Sequence, residues 1–244
     1  MMLYLTSHIG GSIRIGTQRI PAPLMTDNGL TDSLKAHWPD AARVLVMSSA
    51  PEDDVRNDMI LGCFAEAFPM SGLKIKCMHS CDARSESLAQ QLRDYDVIIL
   101  SGGHVPTQNA FFEKIRLKEW LCGYRGIVIG ISAGTMNSAE VVYAQPELPG
   151  ETSDLNYRRF IPGLGLTRTM VLPHWQALRG ETLDGLRICE DLTLPDSIGR
   201  TFYALCDGSY ILSQDGVETL HGEAYRIHDG EIEQICKNGQ SILI

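Results

Sequence analysis

Ser132 lies in Gly130-Ile131-Ser132-Ala133-Gly134, directly after the apolar run Gly126-Ile127-Val128-Ile129-Gly130 and before a helical pattern through Glu140. A strand, a serine between small residues and then a helix is the signature of a nucleophile elbow. A tight turn throws the hydroxyl outward, and the small flanking residues let backbones approach. The start of the following helix aims free N–H groups at the place where an oxyanion would form. The chemistry this implies is attack on a carbonyl by a serine. Such a serine needs a base within hydrogen-bond reach, and the base needs an acid that fixes its tautomer.

Seven histidines compete for the role of base. His37, His79, His221 and His228 lie in polar stretches and read as solvated. His8 follows a first strand over Leu3 to Thr6 and could reach the same rim. His104 follows Gly102-Gly103, as a pocket residue or as a cap for the next helix. His174 ends the strand pattern Thr169-Met170-Val171-Leu172, after Pro173, which is where the base belongs in an open parallel sheet. For the acid, Asp207 stands between the strand pattern Phe202 to Cys206 and Gly208. An ordinary Asp-Gly turn would look the same, but its place one strand beyond His174 favours a third triad member.

The elements that must hold these residues alternate. Arg43 to Ser49 is a short β-branched run, and apolar residues at 60, 63, 64, 67 and 68 then mark one helix face. Leu73, Ile75 and Cys77 read as a strand, Ser85 to Arg93 as a helix and Asp96 to Leu100 as a continuous apolar strand. A helix carrying Phe111 to Leu121 delivers the chain to the elbow strand. Such alternation predicts an α/β fold with an open, mostly parallel, flavodoxin-like sheet covered by helices on both faces. Sites in such sheets gather beyond the strands' carboxyl ends, so Ser48-Ser49, Ser101-Gly102-Gly103 and Ser132 should share one rim. Short strands punctuated by Asp-Gly and Asn-Gly turns follow residue 202 and predict a C-terminal antiparallel β meander. The expected organisation is a single domain over 1–244, with a parallel core over about 40–205 and the meander over about 202–244. Tyr143 to Gly165, with three prolines, reads as a long surface loop over the site.

The 244 residues are 44% hydrophobic and 21% charged, with a net charge of −9 and no Lys/Arg cluster. That balance argues against nucleic acid or an anionic membrane as partner. No apolar run is long enough to span a bilayer, and Met1 to Leu5 lacks the charged start of a secretion signal. The seven cysteines form no metal-ligand pattern and read as reduced thiols in a cytoplasmic protein. No H-E-x-x-H motif or phosphate loop appears, so neither metal nor organic cofactor is expected. The expected partner is a short peptide substrate, and a homodimer is carried as an assembly option.

Leu100-Ser101-Gly102-Gly103, Gly130 to Gly134, Leu172-Pro173-His174 and Ala204 to Gly208 together resemble the peptidase E (α-aspartyl dipeptidase) family of serine peptidases. Cyanophycinase is a relative, and the order and separations match over residues 40 to 215. The resemblance implies a fold like class I glutamine amidotransferases with serine in place of cysteine. It assigns Ser132 as nucleophile, His174 as base and Asp207 as the orienting acid, where the family usually has Glu. It also gives Gly103 and Ala133 as oxyanion donors. The family's specificity acid falls here within Gln145 to Pro149, where Glu147 is the candidate for a substrate amino group. Arg158, Arg159 and Arg168 are available for a substrate carboxylate, although a solvated charge is the simpler role for each. The implied activity is hydrolysis of short peptides, with Asp-X dipeptides as one option. A branched isoaspartyl amide hydrolase and a non-catalytic metabolite-binding module are the alternatives. An α/β-hydrolase esterase is disfavoured, because there the acid precedes the histidine in the chain.

Overall fold

The computed structural model describes residues 1–16 and 18–244. An eight-stranded sheet runs through its centre. Five of the strands are parallel, in the spatial order Ile75–Cys81, Ala42–Met47, Val97–Leu100, Ile127–Ile131, Met2–Thr6. Tyr210–Gln214, Val217–His221 and Ser241–Leu243 continue the sheet antiparallel beyond Met2–Thr6. The parallel set is the doubly wound fold that the alternating pattern predicts. Its fifth place is taken by the N-terminal strand, which lies before the 40–205 stretch read as the parallel core.

Alternation along each strand assigns the two faces. Leu3, Leu5, Leu45 and Met47 point into one apolar cluster with Ala89, Leu92, Phe111, Phe112, Leu117 and Leu121 from the helices on that side. Tyr4, Val44, Val46 and Ile99 point into another, with Leu30, Leu34, Phe64 and Phe68 from the helices Leu30–His37 and Asp54–Met70. Burial on both faces explains the unbroken apolar run Val97-Ile98-Ile99-Leu100, in which every residue is fully buried.

The meander is shared between two sheets. Ala224–His228 and Glu231–Cys236 leave the large sheet and join a second one with Met170–Leu172 and Thr201–Leu205. Met170–Leu172 and Thr201–Leu205 pair in parallel, with Leu172 opposite Ala204, so the residues that follow them emerge side by side. Phe202, Ala204 and Trp175 pack with Ala133 and Met136 of the elbow helix. That contact docks the second sheet over the elbow.

Two local expectations need correction. The elbow helix is a short Ala133–Asn137 turn and does not run to Glu140, because Ala139 bridges to Thr167. The Tyr143–Gly165 stretch is not loop throughout: Phe160–Pro162 pairs antiparallel with Val141–Tyr143. Tyr143 packs on Phe160 in a tilted pair and stacks on Phe202, with ring centroids 5.1 and 4.6 Å apart, which ties that strand pair down. No helix among the described residues is long and apolar enough to cross a membrane.

Candidate active site

Ser132 adopts φ 50° and ψ −112°, a conformation that costs a side-chain-bearing residue about 1–3 kcal/mol and persists only where its surroundings enforce it. They do so through the first strand. Ser132 N–H donates to the Thr6 carbonyl at 3.1 Å. Thr135 Oγ1 accepts from Thr6 N–H at 2.9 Å and donates to the Thr6 carbonyl at 2.8 Å. Thr6 Oγ1 in turn donates to the Gly130 carbonyl at 2.7 Å.

The flanking glycines are required by contact. A Cβ on Gly134 would stand 2.1 Å from the Leu100 carbonyl oxygen, and one on Gly130 would stand 2.8 Å from Thr135 Cα. Gly134→Ala should therefore destabilise by about 3 kcal/mol or more, since neither backbone can yield. Gly62, inside the Asp54–Met70 helix, has nothing within 4 Å of its Cβ position. Gly62→Ala should stabilise by about 0.5–1 kcal/mol. Urea unfolding of the two variants checks both signs, and equal effects would refute the contact argument.

His174 Nε2 lies 3.0 Å from Ser132 Oγ, and His174 Nδ1 lies 2.7 Å from Asp207 Oδ1. His174 itself is in the left-handed region, φ 57° and ψ 34°, at the start of the Trp175–Leu178 turn. Two further residues, absent from the sequence reading, lock this arrangement. Ser7 Oγ accepts from His174 N–H and donates to Asp207 Oδ1, both at 2.7 Å. Gln176 donates through Nε2 to Asp207 Oδ2 at 2.6 Å and accepts from Asp207 N–H at 3.0 Å. Ser7 was findable: it ends the Met2–Thr6 strand on the rim that carries Ser49, Ser101 and Ser132. Gln176 had no comparable signal.

Burial alone would raise the Asp207 pKa. The hydrogen bonds from His174 and Ser7 outweigh it and hold the carboxyl at about 2, so Asp207 is an anion facing Nδ1 across the whole working pH range. His8 stands with its ring centroid 6.3 Å from that of His174. Burial lowers its pKa, with Asp207 opposing the shift, and among the described residues it makes no hydrogen bond that would place it in the relay.

Gly103 N–H and Ala133 N–H have no acceptor among the described residues. Ala133 follows Ser132 in the chain, and Gly103, in the loop after Val97–Leu100, lines the same cavity as Ser132. A cavity of about 550 Å³ opens beside Ser132 and His174. Its lining includes the apolar Ile9, Ile60 and Phe64 and the basic Arg14, Arg19 and Arg56. Arg14 and Arg19 come from the hairpin Gly10–Ile15 and Gln18–Leu24, directly opposite one another.

The other expected substrate contacts are distributed differently. Arg159 is paired with Asp196, its Nη2 2.9 Å from Oδ1, so it is not free for a substrate. Arg168 lies 3.5 Å from Glu140 and is almost fully exposed. Arg158 is exposed, and neither it nor Arg168 lines the cavity. His104 holds the loop in place: its Nε2 lies 2.8 Å from Glu151 Oε1, while Glu151 Oε2 accepts from Glu147 N–H at 2.8 Å. The Glu147 carboxylate makes no hydrogen bond among the described residues. Glu147 is exposed and, like Arg158 and Arg168, does not line the cavity; neighbouring protein atoms, and then the charge of Glu151, push its pKa up to about 7, against an opposing pull from His174.

No protein-family model matches the sequence, and the search of curated proteins gives no match either. Solved structures do match. A peptidase from an acI-B1 Actinobacterium superposes with a TM-score of 0.63 at 16% identity, covering 100% of this chain and 96% of that one. A protein provisionally named peptidase E from Listeria monocytogenes EGD-e gives 0.59 at 14% identity, covering 96% of this chain and 98% of the other. At these identities the likeness speaks to architecture. The fold is peptidase E-like, a mostly parallel α/β sheet with antiparallel strands at its C-terminal side.

Proposed function

We propose that this protein is a serine-type peptidase that hydrolyses short peptides bearing a free amino terminus. The observation that carries the reading is the unbroken relay Ser132 Oγ, His174 Nε2, His174 Nδ1, Asp207 Oδ1, at 3.0 and 2.7 Å, together with the Gly103 and Ala133 N–H groups, which have no acceptor among the described residues. The peptidase names borne by both structural neighbours support it. In this mechanism Ser132 Oγ attacks the scissile carbonyl while His174 Nε2 takes its proton. Asp207 stabilises the imidazolium, and Gly103 and Ala133 N–H groups receive the developing oxyanion, commonly worth about 3 kcal/mol per donor. His174 returns the proton to the leaving amine. Water then repeats the sequence on the acyl-enzyme. Buried thiols at Cys63, Cys81, Cys189 and Cys236 favour a reducing compartment for it.

Substrate charge follows from the two sides of the site. Arg14, Arg19 and Arg56 favour a carboxylate in the cavity, consistent with Asp-X dipeptides. Glu147, within electrostatic range of His174, is the candidate partner for the amino terminus. The test is fluorophosphonate labelling mapped to Ser132, followed by a dipeptide-library screen; a labelled site elsewhere, or none, would reject the serine mechanism.

A pH prediction accompanies the amino-group contact. Glu147 binds an ammonium only as an anion, and with a pKa of about 7 that contact is lost as pH falls below neutrality. KM for free peptides should therefore rise towards acid, and Glu147→Gln should raise it by about 10- to 100-fold at pH 8 while flattening its pH dependence. N-acetylated peptides should be poor substrates of the wild type, because they carry no ammonium for the Glu147 carboxylate to bind. Ionising Glu147 in the fold also costs stability as pH climbs from the ordinary carboxyl range towards 7. The variant should thus gain stability relative to wild type across that window. Efficient cleavage of N-blocked peptides, or a KM for Glu147→Gln equal to that of wild type, would remove Glu147 from the site.

A further inference from the structure

The peptide unit joining Gly102 to Gly103 is gripped at its oxygen. The Gly102 carbonyl accepts from Ser49 Oγ at 2.6 Å and from Arg56 Nη2 at 3.3 Å. A trans peptide is planar, with C=O and N–H pointing in opposite directions. Fixing the carbonyl therefore fixes the line along which Gly103 N–H projects, and that N–H has no acceptor among the described residues. The contact is close enough to exclude any side chain: a Cβ on Gly103 would stand 2.3 Å from Ser49 Oγ and 3.1 Å from Arg56 Nη2.

Both gripping groups are themselves held. Ser49 is 2% exposed and follows the Ala42–Met47 strand. Its loop is tied by Ser48 Oγ donating to Asn57 Oδ1 at 2.6 Å, and by Asn57 Nδ2 donating to the Ala50 carbonyl at 3.0 Å. Arg56 sits in the first turn of the Asp54–Met70 helix, where its N–H donates to the Asp53 carboxylate at 3.0 Å. A hydroxyl and a guanidinium on one carbonyl also polarise the amide, which strengthens its N–H as a donor.

We propose that Ser49 and Arg56 form a clamp that aims and polarises the Gly102–Gly103 peptide for oxyanion binding, making both positioning residues for chemistry at Ser132. The proposal rests on the serine-hydrolase reading above. The loop after Ala42–Met47 and the loop after Val97–Leu100 lie on neighbouring strands, at the point where the chain reverses its direction across the sheet. The fold thus supplies the clamp from the side of that crevice opposite the elbow. Arg56 meets a second demand there, since it also lines the cavity.

The test needs no known substrate. An alkyl fluorophosphonate phosphonylates a serine as Oγ forms the P–O bond, fluoride leaves and the histidine takes the hydroxyl proton; its phosphoryl oxygen draws on the same N–H donors. Ser49→Ala should cut the second-order labelling rate of Ser132 by about 10- to 50-fold, below the 100- to 1,000-fold cost of deleting a donor outright. Arg56→Gln should cut it by a smaller factor, and Arg56→Lys, which keeps a charged donor, should recover most of that loss. The pH midpoint of labelling should stay at the wild-type value in all three, because the Ser132–His174–Asp207 chain is untouched. Should Ser49→Ala not fold, the Arg56 pair carries the same comparison on a half-exposed residue. Wild-type labelling rates in folded Ser49→Ala and in Arg56→Gln would overturn the clamp while leaving the nucleophile in place. A rate loss accompanied by a shifted midpoint would also overturn it, by tracing the effect to the triad. Failure of the wild type to label at Ser132 would overturn both readings together.

Discussion

Ser132→Ala and His174→Ala should each lower kcat by about ten-thousand- to a million-fold on any peptide the wild type cleaves, and the double variant should be no slower than either single one. The three are alike because in the proposed mechanism the two groups act as one unit. Without the hydroxyl no acyl-enzyme forms, and without the imidazole the hydroxyl keeps its proton. The fold should survive. Among the described residues Ser132 Oγ meets only His174 Nε2, and the N–H bond from Ser132 to Thr6 is kept by alanine. Alanine also meets the same strain as serine at φ 50°, so no new backbone penalty arises. The measurement is single-turnover or steady-state rate alongside melting temperature. Near-normal turnover by folded Ser132→Ala would eliminate the mechanism outright.

Asp207→Asn should cost less, about a thousand- to ten-thousand-fold in kcat, with little change in KM. The Asp207 oxygens accept three hydrogen bonds, from His174 and Ser7 on Oδ1 and from Gln176 on Oδ2. An amide keeps the shape but brings a donor. Turned to keep its oxygen on His174, the substituted amide would aim its NH₂ at the NH₂ of Gln176. Flipping Gln176 would then set a donor against the backbone N–H of residue 207, which in the wild type bonds to Gln176 Oε1. Turned the other way, the amide would force the wrong tautomer on His174, the fault that makes such substitutions severe in serine proteases. Either way the imidazolium loses its counter-charge. The sign of the pH effect on stability follows from the same bonds. A carboxyl held at about 2 contributes stability that is present above its ordinary value and is lost as pH falls through 2. Wild type should therefore lose its advantage over Asp207→Asn in strong acid. A pH-independent stability difference between the two would show that these bonds do not hold the carboxylate's charge.

Local pattern carried much of this. The strand-serine-helix signal is written in consecutive residues, 126 to 137, because an elbow is built from neighbours in the chain. The parallel sheet was legible for a similar reason: a strand buried on both faces must read as an unbroken apolar run, as Val97 to Leu100 does. His174 and Asp207 were placed by the rule that sites gather at strand carboxyl ends, together with the family resemblance. Ser7, Gln176 and the arginines of the cavity were not, because each acts through a partner far away in sequence. Ser7 bonds to residues 167 and 200 positions distant, and Arg56 reaches a carbonyl 46 residues on. Arg158 and Arg159, nearer the elbow in sequence, lie elsewhere. Sequence alone therefore determined which residue types stand at which strand ends, since period and turn chemistry act within a few residues. Tertiary structure decided which of those ends meet. The N-terminal strand fills the fifth place in the sheet because its Leu3, Tyr4 and Leu5 can be buried on both faces there. That pairing delivers Ser7 to His174 and Asp207 and the arginine hairpin to the cavity, contacts whose free energy depends on the whole sheet being assembled.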